Sequence, residues 1–181
     1  MPLDWSDAGV AARMAKGWGG GLADGTPCGS GSTLEATSRI RDSLPALCLR
    51  RRFLTLSDAG AGDMHWQRLI PWPHYAVVYR PFDLVARVAG VVQWDFLARD
   101  LPDCDVILCR HVLIHLDPTR IAAALEGFAR SAPYLIASQY DDGGEFDARL
   151  QCNRTDLRPL LGEPLERLPD ASGDLCLWRL A

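Results

Sequence analysis

Two groups of residues in this chain have the types and spacing that chemistry needs. The first is Asp58, Gly60, Gly62 and Asp63, which follow the apolar run Phe53-Leu54-Thr55-Leu56-Ser57, itself led in by Arg50, Arg51 and Arg52. A short apolar run reads as a buried strand, and Gly-x-Gly behind it as a tight turn. Glycine lets the backbone bend sharply and leaves room for a ligand. Open α/β sheets bind ligands at this place, outside the carboxyl ends of their strands. The segment therefore points to a nucleotide-type ligand, and the plain alternative is a structural strand-to-helix turn. His65 stands where the dinucleotide fingerprint Gly-x-Gly-x-x-Gly has its third glycine, which argues against NAD.

The second group is Cys109, Arg110, His111 and His115, at the end of another apolar run. Imidazole titrates near neutral pH and suits proton transfer. The spacing of the two histidines puts them on one helical face if the backbone is helical there. Zinc is disfavoured: no second cysteine stands at ligand spacing, and the glutamate of His-Glu-x-x-His is absent, so no metal site is expected. Arg110 can contact a ligand or pair with an acid.

The elements that must position these groups follow from pattern. A capping box at Ser32-Thr33-Leu34-Glu35 predicts a helix start, with Pro45 breaking or bending the helix. Strands are expected at Phe53–Ser57, Tyr75–Tyr79, Val91–Trp94, Asp105–Cys109 and Tyr134–Ser138. Short helices are expected at His65–Ile70 and, started by Pro81, at Phe82–Val88. A strong helix is expected at Thr119–Ala132, with Asp117 as N-cap and Pro118 at its first position. Strands alternating with helices imply a mostly parallel sheet covered on both faces. Leu165–Leu168 and Leu175–Leu180 read instead as an antiparallel hairpin. Residues 1–31 form an N-terminal piece: a helix over Asp4–Lys16, then a glycine-rich stretch, Gly17–Gly31, that is either a linker or a ligand-gated lid. Residues 32–181 form one domain.

Composition bounds the function. The chain has 181 residues, 48% hydrophobic and 23% charged, with a formal net charge of −4. That suits one soluble globular domain and argues against a broadly basic nucleic-acid surface. No apolar stretch spans a bilayer and no signal peptide is visible. Six scattered cysteines without Cys-x-x-Cys point to a reducing cytoplasm. Oligomeric state is not legible.

The pattern resembles class I S-adenosylmethionine (SAM)-dependent methyltransferases, in particular a small bacterial and phage-associated group. The likeness is carried by Gly29–Glu35 (Gly-Ser-Gly-Ser-Thr-Leu-Glu), by Asp58-x-x-x-Gly62-Asp63 followed by Trp66, and by Asp105–Leu116. Arg158-Pro159-Leu160 and the closing Leu175–Leu180 complete it. The resemblance implies a Rossmann-like α/β sheet of order 3-2-1-4-5-7-6, with strand 7 antiparallel, and SAM as cofactor. It gives Asp58 and Gly60 the amino-acid end of SAM, where the turn through Gly62 brings the backbone close and Asp63 is expected to meet the ammonium group directly or through water. It gives Asp95 the adenine amino group, with Trp94 or Phe96 against the ring. The class usually carries an acid at the end of strand two, where it grips the ribose hydroxyls. Here that position falls on Tyr79 and Arg80, a pair that cannot act as a carboxylate does and in which Arg80 favours a phosphate. The end of strand four faces the acceptor in this class, so His111 is the expected base, with Arg110 beside the ligand and His115 structural or cofactor-side.

The preferred reading is methyl transfer to a small-molecule, sugar or nucleotide acceptor. The alternatives are a protein of this fold that binds another nucleotide-like ligand, and a binding or assembly module.

Overall fold

The computed structural model describes Ala12 and residues 24–142, 144–147, 152–171 and 173–180. The helix expected at Asp4–Lys16 lies outside the described residues except for Ala12, as does the glycine-rich stretch up to residue 23.

Helix α1, Ser38–Arg51, begins later than the capping box predicts. Thr33, rather than Ser32, accepts a backbone N–H, that of Ala36 at 3.2 Å, and residues 34–37 form turns before the helix. Pro45 neither ends nor splits α1, whose 14 residues run through it with the ring buried. The helix stops at Arg52, in the left-handed region at φ 58°. There Phe53 N–H reaches Cys48 O and Arg52 N–H reaches Leu49 O, the paired closure that satisfies terminal carbonyls.

The strands β1 (Thr55–Ala59), β2 (Val78–Asp83), β3 (Val92–Gln93), β4 (Val106–Cys109) and β5 (Tyr134–Gln139) are parallel neighbours. A small antiparallel pair, β6 (Gly144–Asp147) and β7 (Cys152–Arg154), and a short helix α3 (Arg158–Leu161) follow β5. The chain closes with β8 (Glu166–Leu168) and β9 (Asp174–Arg179), the expected hairpin, and β9 lies antiparallel on β5. The seven-stranded sheet has the order β3-β2-β1-β4-β5-β9-β8. With the β6–β7 pair set aside, this is the expected order 3-2-1-4-5-7-6.

Strand β4 is buried at every position, as a central parallel strand covered on both faces must be. Its alternation divides the core. Val106 and Leu108 pack with Ile40, Leu44 and Leu47 of α1 on one face. Ile107 and Cys109 pack on the other with Ile121, Leu125 and Phe128 of α2, Pro118–Ser131. Asp117 caps α2 by accepting from Arg120 N–H at 3.0 Å, as the sequence predicts. No helix among the described residues is long and apolar enough to cross a membrane.

The second strand departs from expectation. Tyr75 belongs to a 3-10 turn, Trp72–Tyr75, that ends at Ala76 with φ 55°. The strand starts three residues later and runs through Pro81 to Asp83, so no helix begins at Pro81 or covers Phe82–Val88. Proline is tolerated here for a topological reason. Phe82 O faces the glycine turn, accepting from Gly60 and Ala61, whereas Asp83 O accepts from Trp94 on the β3 side. Pro81 faces the β3 side too, and β3 pairs only with Phe82 and Asp83. Its missing N–H therefore falls on an open edge.

Candidate cofactor and acceptor site

Strand β1 lies two residues beyond its expected position, so Asp58 is inside the strand rather than in the turn. It is 2% exposed. Tyr79 Oη donates to Asp58 Oδ2 at 2.5 Å, and Gln67 Nε2 donates to the same oxygen at 3.1 Å. Both bonds end on Oδ2, which leaves Oδ1 for a ligand. Burial pushes the carboxyl up to about 6 against those two hydrogen bonds, and the nearby Asp83 adds repulsion.

Asp83 is the acid at the end of strand two. The sequence places that end at Tyr79 and Arg80; the structure corrects it by four residues. Asp83 is also 2% exposed, and burial raises its pKa. Its Oδ2 accepts from Gly62 N–H at 2.8 Å and its Oδ1 from Val85 N–H at 3.0 Å, which fixes it against the glycine turn. Tyr79 stands inside β2, stacked on Trp72 at 4.8 Å, and acts on Asp58 from within the sheet. Arg80 is turned away, donating to Asp103 O at 3.1 Å.

The glycine turn is tight because its surroundings require it. Gly60 has φ 111°, and a Cβ there would lie 2.2 Å from Val112 Cγ2. Gly62 has φ 62°, and its Cβ would lie 2.7 Å from Cys28 Sγ. The segment from Asp24 to Thr33 thus passes directly over the turn. It is tied down by Arg110, which donates to Gly31 O at 2.7 Å, and by Asp24, which accepts from Leu34 N–H at 2.7 Å and lies 3.4 Å from His65 Nε2.

Beneath this strap is a cleft lined by Asp58, Gly60, Gly62, Asp63, Gln67 and Arg110, among others. Five of the residues expected from the sequence therefore meet: Asp58, Gly60, Gly62, Asp63 and Arg110. The cleft has a volume of about 30 Å3, room for about two waters at 10–15 Å3 each. Gln67, which sequence reasoning did not single out, contributes a buried Oε1 with no hydrogen-bond partner among the described residues. Asp58 and the orphaned Gln67 Oε1 give the cleft two buried acceptor groups, and the buried Asp83 backs its glycine turn.

The remaining expected residues lie outside this cleft. Asp95 Oδ1 accepts from Leu97 N–H at 2.8 Å in a local turn. Trp94 packs edge-on to Phe82, with the Arg99 guanidinium 3.4 Å over its ring. His111 is in the left-handed region at φ 55°, and only Leu113–His115 forms a 3-10 turn, so the two histidines do not share a helical face. His111 N–H donates to Ser138 Oγ of β5 at 2.9 Å, and its Nε2 lies 3.8 Å from Asp170 Oδ2. Arg110 is buried rather than paired at the surface. It grips Asp170 with two bonds, Nε to Oδ2 at 2.8 Å and a terminal nitrogen to Oδ1 at 3.0 Å. No cluster of metal-ligating side chains occurs among the described residues.

No family model and no curated protein sequence matches this chain. Solved structures do. The pyocyanin biosynthetic protein PhzM is 16% identical with a TM-score of 0.62, over 82% of this chain and 56% of PhzM. The 1,6-didemethyltoxoflavin-N1-methyltransferase of Burkholderia thailandensis, solved with S-adenosylhomocysteine, is 16% identical with a TM-score of 0.59, over 83% of this chain and 82% of that one. LaPhzM is 18% identical with a TM-score of 0.56, and the chain spans 59% of its length. The seven-stranded sheet matches the methyltransferase fold of these neighbours. At these identities the likeness shows the fold alone.

Proposed function

We propose that this protein is a SAM-dependent methyltransferase acting on a small-molecule, sugar or nucleotide acceptor. The observation that carries the reading is the pair of buried acids at the ends of β1 and β2 with the unsatisfied acceptor of Gln67 beside them. Asp58 and Asp83 are both buried with raised pKa values, and Gln67 Oε1 lacks a partner. A cationic ligand rich in N–H and O–H groups suits the two carboxylates and gives Gln67 Oε1 a donor, and SAM is one, with an ammonium, a sulfonium and two ribose hydroxyls. Asp58, Asp63 and Gln67 would hold its amino-acid end, with Gly60 and Gly62 admitting it close to the backbone. Asp83 would hold the ribose, in the role the class gives to the strand-two acid, while Asp95 and Trp94 remain the proposed adenine contacts. When bound, SAM supplies a methyl group on a carbon already activated for displacement.

The chain's own residues then have to place the acceptor and accept its proton. His111 is the proposed base. The bond to Ser138 fixes its backbone, and the Asp170 carboxylate faces its Nε2, favouring the imidazolium that forms when a hydroxyl gives up its proton. The neighbours' names include an O-methyltransferase in complex with 1,4-dihydroxy-2-naphthoic acid and an N1-methyltransferase with bound 1,6-didemethyltoxoflavin, which supports a small-molecule acceptor. The five cysteines with described side chains are free, which supports a reducing compartment such as the cytoplasm. The closed cleft favours the second reading, a protein of this fold that has left methyl transfer. Calorimetry with SAM and S-adenosylhomocysteine separates the two. Micromolar binding that Asp58→Ala abolishes supports the enzyme, and no binding by the folded wild-type chain refutes it.

A further inference from the structure

A second and larger depression lies beside the cofactor cleft. It is a groove of about 630 Å3, with Thr33, Glu35, Ser38 and Arg39 on one side and Asp170 and Ala171 on the other. The chain step from Ser32 to Thr33 and the contact of Arg110 with Asp170 link it to the cleft. Ser32 and Arg110 line the cleft, whereas Thr33 and Asp170 line the groove. Arg110 and Asp170 are joined by their two-bonded ion pair. His111 Nε2 lies 3.8 Å from the same Asp170 carboxylate. Methyl transfer requires donor and acceptor atoms nearly in contact and in line, so an acceptor must sit against the wall that the cofactor site shares with the base. The groove borders that wall through Asp170.

We propose that this groove is the acceptor site and that the acceptor is a phosphorylated sugar or a similarly anionic polyol. The inference rests on the methyltransferase reading. The Thr33 hydroxyl is already used, donating to Ser30 O and accepting from Ala36 N–H. The side chains of Glu35, Ser38 and Arg39 are exposed and engage no other described residue. A guanidinium offers a fork of donors that matches a phosphate. The Glu35 carboxylate accepts from sugar hydroxyls, and the Ser38 hydroxyl both donates and accepts. Among the described residues, no aromatic or long aliphatic side chain lines the groove, so a flat apolar acceptor finds no surface there to bury against.

The test uses the full, 15N-labelled chain saturated with S-adenosylhomocysteine and titrated with ribose 5-phosphate, with ribose and inorganic phosphate as controls. The expected result is saturable amide shifts at Thr33–Arg39 and Ala171 that ribose 5-phosphate produces at lower concentration than either control. Arg39→Ala weakens that response about tenfold or more, the loss of one charge-assisted contact. Shifts elsewhere, an equal response to inorganic phosphate, or an unchanged affinity in Arg39→Ala overturns the assignment. Calorimetry with S-adenosylhomocysteine alone keeps the two ideas apart. If it binds and the groove does not respond, the acceptor site falls and the methyltransferase reading stands. If it fails to bind, the methyltransferase reading itself falls.

Discussion

Replacing Tyr79 by phenylalanine removes one donor from Asp58 and leaves the ring stacked on Trp72. The Tyr79 phenol, whose own pKa burial raises well above 10, stays protonated throughout the working range and stabilises only the ionised form of Asp58. A hydrogen bond to a charged group is worth about 1.5–3 kcal/mol. At about 1.4 kcal/mol per pH unit, its loss raises the Asp58 pKa from about 6 by roughly 1–2 units. An ammonium-bearing ligand needs the carboxylate, so its affinity falls as Asp58 takes up a proton. In the wild-type chain, S-adenosylhomocysteine binding weakens below about pH 6. In Tyr79→Phe the decline starts roughly 1–2 units higher, so that near pH 6.5 the variant binds about three- to twenty-fivefold more weakly, and at pH 9 the two converge. The same shift bears on folding. The folded chain keeps the Asp58 proton above the unfolded value of 3.8, so this residue lowers stability as pH rises from about 4 to 6. In the variant that loss extends to higher pH, and its melting temperature falls further behind wild type at pH 8 than at pH 5. Calorimetric titrations between pH 5 and 9 with thermal melts alongside decide the matter. Superimposed binding profiles, or a deficit of the same size at every pH, would show that Asp58 does not titrate into the ligand.

Gly60→Ala forces a Cβ toward Val112 at φ 111° and is expected to destabilise the fold by about 2–4 kcal/mol in calorimetric or chemical unfolding, a loss that Val112→Ala partly restores; a neutral Gly60→Ala would refute the packing of that turn. With an acceptor in hand, His111→Ala is expected to lower turnover about a hundredfold or more while leaving S-adenosylhomocysteine affinity within about twofold, and unchanged turnover would remove His111 as base.

Local signals held where one strong rule acted alone. Asp117 and Pro118 start α2 as read, because cap and first-turn chemistry are decided within four residues. The closing hairpin is legible because Pro169–Asp174 separates two apolar runs that pair only with each other and with β5. The failures share a cause: a residue's neighbours in space set aside its local preference. Pro45 sits inside α1 because buried packing on the sheet outweighs the missing N–H. Tyr75–Tyr79 has the residues of a strand, yet Pro71 and Pro73 turn its first part into a 3-10 segment. Pro81 reads as a helix start until the open edge beside β2 shows that its absent donor is not needed.

That one misplacement hides the most informative side chain of the site. With the strand ended at Tyr79, no acid stands at its end and Asp83 falls inside an expected helix, where an acid carries no meaning. With the strand ended at Asp83, the acid returns to its place, and Tyr79 changes from an unsuitable ligand contact into the donor that tunes Asp58. Gln67 had no signal of its own in the sequence. Its importance arises from a position in which its amide nitrogen is spent on Asp58 and Ala61 O and its oxygen is left facing a cleft. Such a set of buried acceptors is a property of two strand ends and a 3-10 turn brought together, and no one of the three segments carries it alone.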